Sequence, residues 1–514
     1  MIELFGPLLD KYDPQSDIAR DLNSITSALA RKDSTLWGTA ASAEAAIRLN
    51  WIDLPHSSME LIPKIDQLRT WVAANKLNQI ILCGMGGSSL APEVLGKTFG
   101  KNIFILDSTD PEQLQLATKI PLDQAVIVIG SKSGSTIETS SQKLFFENSL
   151  KEAHLDPKNH LVIVTDPGSP LDISARASGY QVINADPNVG GRFSALSAFG
   201  LVPAALMAID VASLLQVALA AASHFTEQDS TVVKAAALIL EQSAQVIAFT
   251  DSNSNVPGLS DWIEQLIAES TGKDEVGRLP VVVESVGSEI SADAPLITFT
   301  KGAGDLVVEG TLAEYFIFWE WVTALLGRGL KVDPFNQPNV TEAKERTSAL
   351  LAKWNGSVQT PAPSFEDEAI AIYANFEVNS LGEALAKFLE PASEYIAIMA
   401  YLNRLQDTQI VQLRELIADK TKRATTFGWG PRFLHSTGQF HKGGQQNGAF
   451  IQISAQSSVD YSVPTKEYSF QTLFMAQALG DGEALSSRNF PLIRFHLKNR
   501  NLGIIKLIEA VKKL

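Results

Sequence analysis

Short apolar runs at residues 79–83, 102–106, 125–129, 161–165 and 181–183 alternate with helix-length amphipathic segments. Runs this short, rich in Val and Ile, read as strands buried on both faces. The segments between them are long enough for crossover helices, so the pattern predicts a parallel α/β sheet from about residue 59. In such sheets ligands gather at the carboxyl ends of the strands. The second half is less regular. It reads as helices at 230–248 and 260–268, strands at 281–284, 295–299 and 305–308, and a long apolar helix at 312–326. Strands at 395–401 and 424–427 then flank a polar helix at 407–419, followed by a glycine-rich segment, an amphipathic stretch at 469–479 and a strand at 492–496. Residues 1–58 read as a helical arm with loops, in which Asp33-Ser34-Thr35 marks a helix start and 54–58 a break. The expected organisation is an arm (1–58), a first α/β domain (59–226) and a second (227–514), with the proline-bearing stretch 359–364 as an internal linker. The apolar stretch 198–222 is interrupted by Pro203, Asp210 and Gln216, so it reads as buried helix rather than a membrane span.

Composition sharpens this picture. The chain has 514 residues, of which 45% are apolar and 19% charged, a balance that fits several buried cores. Its net charge of −15 argues against partners that carry phosphate backbones and against anionic membranes. A single cysteine, Cys83, cannot form an internal disulfide, and no basic segment followed by an apolar run opens the chain, so a cytoplasmic setting is expected. The seven histidines are scattered without metal-site spacing, and no structural metal is expected.

Two loops carry candidate chemistry. Gly84-Met85-Gly86-Gly87-Ser88-Ser89 follows a strand and opens a helix, where bare amides could receive an anion. A dinucleotide fingerprint would want a third glycine where Ser89 stands, although Asp107 ends the next strand at a suitable distance. The second loop, residues 130–139, packs four hydroxyls and one cation into six positions from Ser131, and it lacks the spacing of a nucleoside-triphosphate loop. A monophosphate is the better fit. Taken singly, each loop also has a plainer reading that fits it less well: a tight strand-to-helix turn without a ligand for the first, and a solvated turn whose Ser or Thr caps a helix for the second.

Gly84-Met85-Gly86-Gly87-Ser88, residues 131–139 and residues 188–194 resemble, in order, signature segments of the glucose-6-phosphate isomerase family, built on the sugar isomerase (SIS) fold. The likeness continues through 264–273, 333–344 and 435–444, the last segment resembling the isomerase half of transaldolase–isomerase fusions, although no transaldolase-length region is present. The resemblance implies two SIS-type three-layer α/β/α units and reversible isomerisation of glucose 6-phosphate and fructose 6-phosphate, a step of glycolysis and gluconeogenesis. It further implies no cofactor and a homodimer. It assigns Glu269 as the base that shuttles a proton between C1 and C2, Arg192 as the fixed positive charge at the developing oxyanion, and His435 with Lys344 to ring opening. Gly87, Ser88, Ser131, Lys132, Ser133, Thr136, Gln265 and Gln337 match phosphate and substrate contacts.

One feature departs from the family order: no histidine lies between Glu269 and Lys344, so the histidine follows the lysine, and His441 competes with His435 for its role. The chemistry stands apart from the name. Moving a carbonyl between neighbouring carbons requires a positioned base and charge stabilisation of an enediolate, and a guanidinium can supply that charge at any working pH. Two other readings compete: a non-catalytic sugar-phosphate sensor, which would need the loops but not the full set of charged residues, and a dinucleotide-dependent oxidoreductase, which leaves the serine-rich loop unexplained.

Overall fold

The computed structural model describes residues 1–291 and 293–514. The described strands form three sheets. In the first, the parallel strands run in the order Phe104–Leu106, Gln79–Gly84, Ala125–Gly130, Leu161–Thr165, Gln181–Asn184. The central strand Ala125–Gly130 is buried along its whole length, which is why it reads as an unbroken apolar run. From Gln79–Gly84 the chain leaves toward one edge of the sheet, whereas from Ala125–Gly130 it leaves toward the other. The two strands pair directly, Gly84 opposite Gly130, so a crevice opens at their carboxyl ends where the two loops diverge.

The stretch 227–514 differs from the expected single unit. It builds two sheets, in the orders Glu3–Phe5, Leu306–Glu309, Leu296–Thr298, Val246–Thr250, Leu279–Val282 and Phe365–Glu366, Ile370–Tyr373, Leu492–Leu497, Gly448–Ala455, Tyr395–Tyr401, Ala424–Trp429. The parallel strands of both repeat the first sheet's arrangement, with the first of them in sequence lying between the second and third. Antiparallel pairing is confined to the additions at Glu3–Phe5 and at the two strands within 365–373. The arm is therefore not wholly helical, since Glu3–Phe5 closes the second sheet. Its helix Asp17–Ala30 is tied to the long helix Leu312–Leu330 by a two-pronged bond from Arg328 to Asp21 (2.9 and 2.8 Å).

Asp33 caps a single tight turn, Ser34–Trp37, rather than a long helix. Residues 198–222 form two helices, Ala198–Leu206 and Val211–Ala222, because Asp210 caps the second by accepting from the Ser213 amide (3.1 Å). The pattern at 230–248 divides into helix Thr231–Leu240 and strand Val246–Thr250. Among the described residues, no helix is long and apolar enough to cross a membrane.

Candidate active site

A cleft of about 680 Å³ lies at the carboxyl ends of the first sheet, and every residue that the resemblance assigned to the site lines it. Close packing of backbones explains the glycines. A Cβ on Gly87 would sit 1.9 Å from the Gly191 carbonyl oxygen, so the loop after Gln79–Gly84 and the loop carrying Arg192 can touch only because Gly87 has no side chain. Gly86 adopts φ +53°, and a Cβ there would meet the Gln265 side chain at 2.7 Å and the His435 carbonyl oxygen at 2.9 Å.

The hydroxyl loop between Ala125–Gly130 and helix Ile137–Glu152 folds on itself. Ser131 Oγ accepts from the Gly134 amide (3.1 Å) and approaches Thr136 Oγ1 (3.4 Å), while Ser133 and Ser135 share a bond of 2.6 Å. Lys132 pairs with Asp166 (2.6 Å) and donates to the Pro187 carbonyl (2.8 Å). Burial draws the Lys132 ammonium down and the Asp166 carboxyl up from their ordinary values, and their mutual attraction opposes both shifts. Arg48, from the arm, donates to the same Pro187 carbonyl (3.2 Å) and also lines the cleft. The motifs gave no hint of it, because the arm reads as a separate element.

Glu269 lies near the end of helix Leu259–Thr271, one turn beyond Gln265. Its Oε1 is 3.5 Å from Arg192 Nη1, and both side chains are more than nine-tenths buried. Gln265 Nε2 donates to Glu269 Oε2 (3.2 Å) and to the His435 carbonyl (2.7 Å), which links Glu269 to the segment carrying His435 through one amide. Arg192 is held by Ser270 Oγ (2.7 Å) and by the Asn336 carbonyl (3.0 Å). Burial pulls its guanidinium below the ordinary value, and the carboxylates of Glu269 and Asp333 oppose the shift. Lys273, quoted in a motif without a role, is buried one turn past Glu269 and donates to the Asp333 carbonyl. Burial, and then the neighbouring Arg192 charge, hold its ammonium well below the usual range. It thus supports the 333–336 loop that receives Arg192.

His435 Nε2 meets Glu138 Oε1 at 2.9 Å, and Glu138 also accepts from Gln477 (2.7 Å). Burial alone would raise the Glu138 carboxyl. The charge and hydrogen bond of His435 outweigh it and leave the group below its ordinary value. Glu138 was overlooked because it reads as a first-turn carboxylate of the helix after the phosphate-type loop. Lys344, exposed near the start of helix Val340–Trp354, faces the same cavity wall, and Gln337 lies on the loop before it. His441 does not reach the cleft. It is buried among Tyr395, Phe433 and Phe450, 3.3 Å from the Tyr395 hydroxyl, and burial followed by the Lys442 charge depresses its pKa to about 3. Asp107, the acid a dinucleotide would need, is fully buried and paired with Arg404 (2.8 Å) and Arg432 (2.9 Å), which leaves it no reach to a ribose.

Residues 60–295 match a family model described as phosphoglucose isomerase. The chain is 34% identical over 246 residues to a glucose-6-phosphate isomerase of Thermus thermophilus, covering 46% of this chain and 58% of that protein. It is 27% identical over 397 residues to a glucose-6-phosphate isomerase of Carboxydothermus hydrogenoformans, covering 59% and 85%. Among solved structures, a hypothetical protein from Thermus thermophilus aligns with a TM-score of 0.58 at 26% identity, over 68% of this chain and 100% of that one. A glucose-6-phosphate isomerase from Chlamydia trachomatis aligns at 0.55 and 17% identity, over 68% and 88%, a likeness of fold alone. These likenesses agree with the expected α/β sugar isomerase fold. The match spans little more than half the length of the Thermus isomerase, and Gln337, Lys344 and His435 lie beyond the stretch that the family model matches.

Proposed function

We propose that this chain, whose residues 60–295 match the phosphoglucose isomerase family model, is a member of that family and interconverts glucose 6-phosphate and fructose 6-phosphate through an enediolate. The observation that carries the reading is the Glu269–Arg192 pair opening into the same cleft as the 131–136 loop. The loop hydroxyls and amides, with Lys132 and Arg48, hold the phosphate and so fix the sugar's far end. His435, oriented by Glu138, gives a proton to the ring oxygen as its bond to C1 breaks, while Lys344 stands by the anomeric hydroxyl, which loses its proton and becomes the aldehyde carbonyl. In the open-chain aldose, Glu269 takes the C2 proton and the electron pair moves through C2–C1 onto the carbonyl oxygen. Arg192 stabilises that oxygen's charge; the C2 hydroxyl proton passes to the C1 oxygen, and Glu269 returns its proton to C1 as the C2 oxygen becomes the carbonyl. No electrons leave the substrate, so no redox cofactor enters the balance.

The finer parts of the reading are that the chain is of the fusion-type isomerases, works as a homodimer in the cytoplasm, and divides near residues 58 and 226. The direct test is to incubate purified, exhaustively chelated protein with fructose 6-phosphate, without added cofactor, and measure glucose 6-phosphate. Formation of product supports the reading; unchanged fructose 6-phosphate, or turnover that returns only with a divalent ion or nicotinamide, contradicts it.

A further inference from the structure

On the third sheet, away from the cleft, Tyr373, Arg494 and Gln452 stand side by side on three adjacent strands, Tyr373 opposite Arg494 and Arg494 opposite Gln452 in the pairing register. Residues in register share a face, so the three side chains form one row. That row floors a groove of about 730 Å³, walled by the last turns of helix Val340–Trp354 and by helix Phe470–Ser486, and rimmed by the exposed linker at 359–364.

The row is built for a ligand in three respects. Arg494 is 9% exposed, yet its Nε has no hydrogen-bond partner and no carboxylate among the described residues pairs with it. Its guanidinium lies 3.8 Å from the centroid of the Tyr373 ring, which covers one flat face, while Nε on the edge stays without a partner. Gln452 is 1% exposed and donates to the Ala478 carbonyl (2.7 Å), but its Oε1 is unpartnered. Among the described residues the other buried arginines are paired: Arg192 faces Glu269, Arg414 is clasped by Glu284, and Arg500 by Asp110 and Asp407. A buried, unpaired guanidinium is costly, and its cost is offset when a planar anion takes the free edge.

We propose that this groove binds a small hydroxylated organic anion, its carboxylate or phosphate seated on the free edge of Arg494 and a hydroxyl donating to Gln452 Oε1. Lys353 and Glu483, both exposed on the groove wall, bring one charge of each sign, so the groove's uncompensated positive charge is that of Arg494. Leu350, Leu479 and Leu492 give the ligand's carbon skeleton an apolar bed.

The test is equilibrium dialysis of the full chain with labelled inorganic phosphate and, separately, labelled malate, counting bound equivalents per chain. Wild type should hold an equivalent of at least one probe that Arg494→Met loses or binds at least 10-fold more weakly. Because Arg494 is buried, a second variant guards against misfolding: Ser486→Glu sits at an exposed groove position and adds a carboxylate that competes for Arg494. It should lose the same equivalent with an unchanged thermal midpoint. Thr136→Ala, which addresses the catalytic cleft, should keep it, so failure of the isomerase reading leaves this count intact. Equal binding by wild type and Ser486→Glu, or no groove equivalent of either probe in wild type, would overturn the proposal; an equivalent held only with malate or only with phosphate upholds it and identifies the anion's head group.

Discussion

His435 and Glu138, almost 300 positions apart in the chain, share a hydrogen bond of 2.9 Å. Glu138 stands on the first turn of the helix that begins where the hydroxyl loop ends, so one short segment supplies both that loop and the partner of the histidine. A carboxylate in this position fixes the ring's orientation and tautomer. Glu138→Gln keeps the shape and the bond from Gln477 but removes the charge. General acid–base steps are worth about 10²–10⁴-fold. Turnover of cyclic substrate should therefore fall by at least ~10-fold, while an open-chain analogue reacts nearly as before. Equal losses on both substrate forms would remove Glu138 and His435 from ring opening.

The histidine reaches Glu138 and Gln265 of its own chain, which makes the cleft complete within one polypeptide. Mixing inactive His435→Ala with inactive Glu269→Gln protein, after dissociation and reassociation, should restore no activity. Recovery of up to about a quarter of wild-type turnover, the share of sites that a random pairing would complete, would mean that the histidine serves a partner's cleft.

Phosphate affinity should depend on the loop. Hydrogen bonds to charged groups contribute about 1.5–3 kcal/mol, or roughly 10–100-fold in binding. Thr136→Ala and Lys132→Ala should raise KM for sugar phosphates by that order and change kcat less. Removal of Lys132 also leaves the partly buried Asp166 unpaired, so its effect should exceed that of Thr136. Unchanged KM values in both variants would put the phosphate elsewhere.

Much of this architecture was legible in the sequence. The first sheet is all parallel and buried on both faces, so its strands stand out as apolar runs, and the loops that leave it carry glycine and serine at positions that bare backbone contact requires. The third sheet was harder to see. Its strand Gly448–Ala455 alternates Gln452 and Ser454 with apolar residues and follows a glycine-rich loop, so it read as an extension of that loop. Helix Val340–Trp354 was hidden because it has a polar surface and packs on Phe470–Ser486 through few apolar positions. Glu138, Arg48 and Lys273 went unassigned for a shared reason: their roles depend on residues brought in from distant positions or from a different element, and local spacing carries no trace of that.

His441 gives the fold a pH dependence that is separate from catalysis. Its pKa is depressed to about 3 by burial, against 6.5 for the free group. Between these values the unfolded chain binds the proton and the folded chain does not, so this contribution to stability is complete above pH ~6.5 and is lost as pH falls toward 3. The slope from one such group reaches ~1.4 kcal/mol per pH unit. Urea unfolding of His441→Phe between pH 4 and 6.5 should show a shallower decline than wild type. Parallel curves would mean that the ring is protonated in the folded state.

The central claim is that Glu269 carries the proton between C1 and C2 while Arg192, 3.5 Å away, holds the charge. The amide of Glu269→Gln keeps the bond from Gln265 in reach but cannot accept a proton. The most direct measurement is deuterium incorporation at C2 of glucose 6-phosphate formed from fructose 6-phosphate in D₂O, for wild type and Glu269→Gln alongside a binding assay with a non-reacting sugar phosphate. Exchange should appear in wild type and fall at least ~10²-fold in the variant with binding retained; more than about a tenth of wild-type exchange in Glu269→Gln would mean that another group carries the proton.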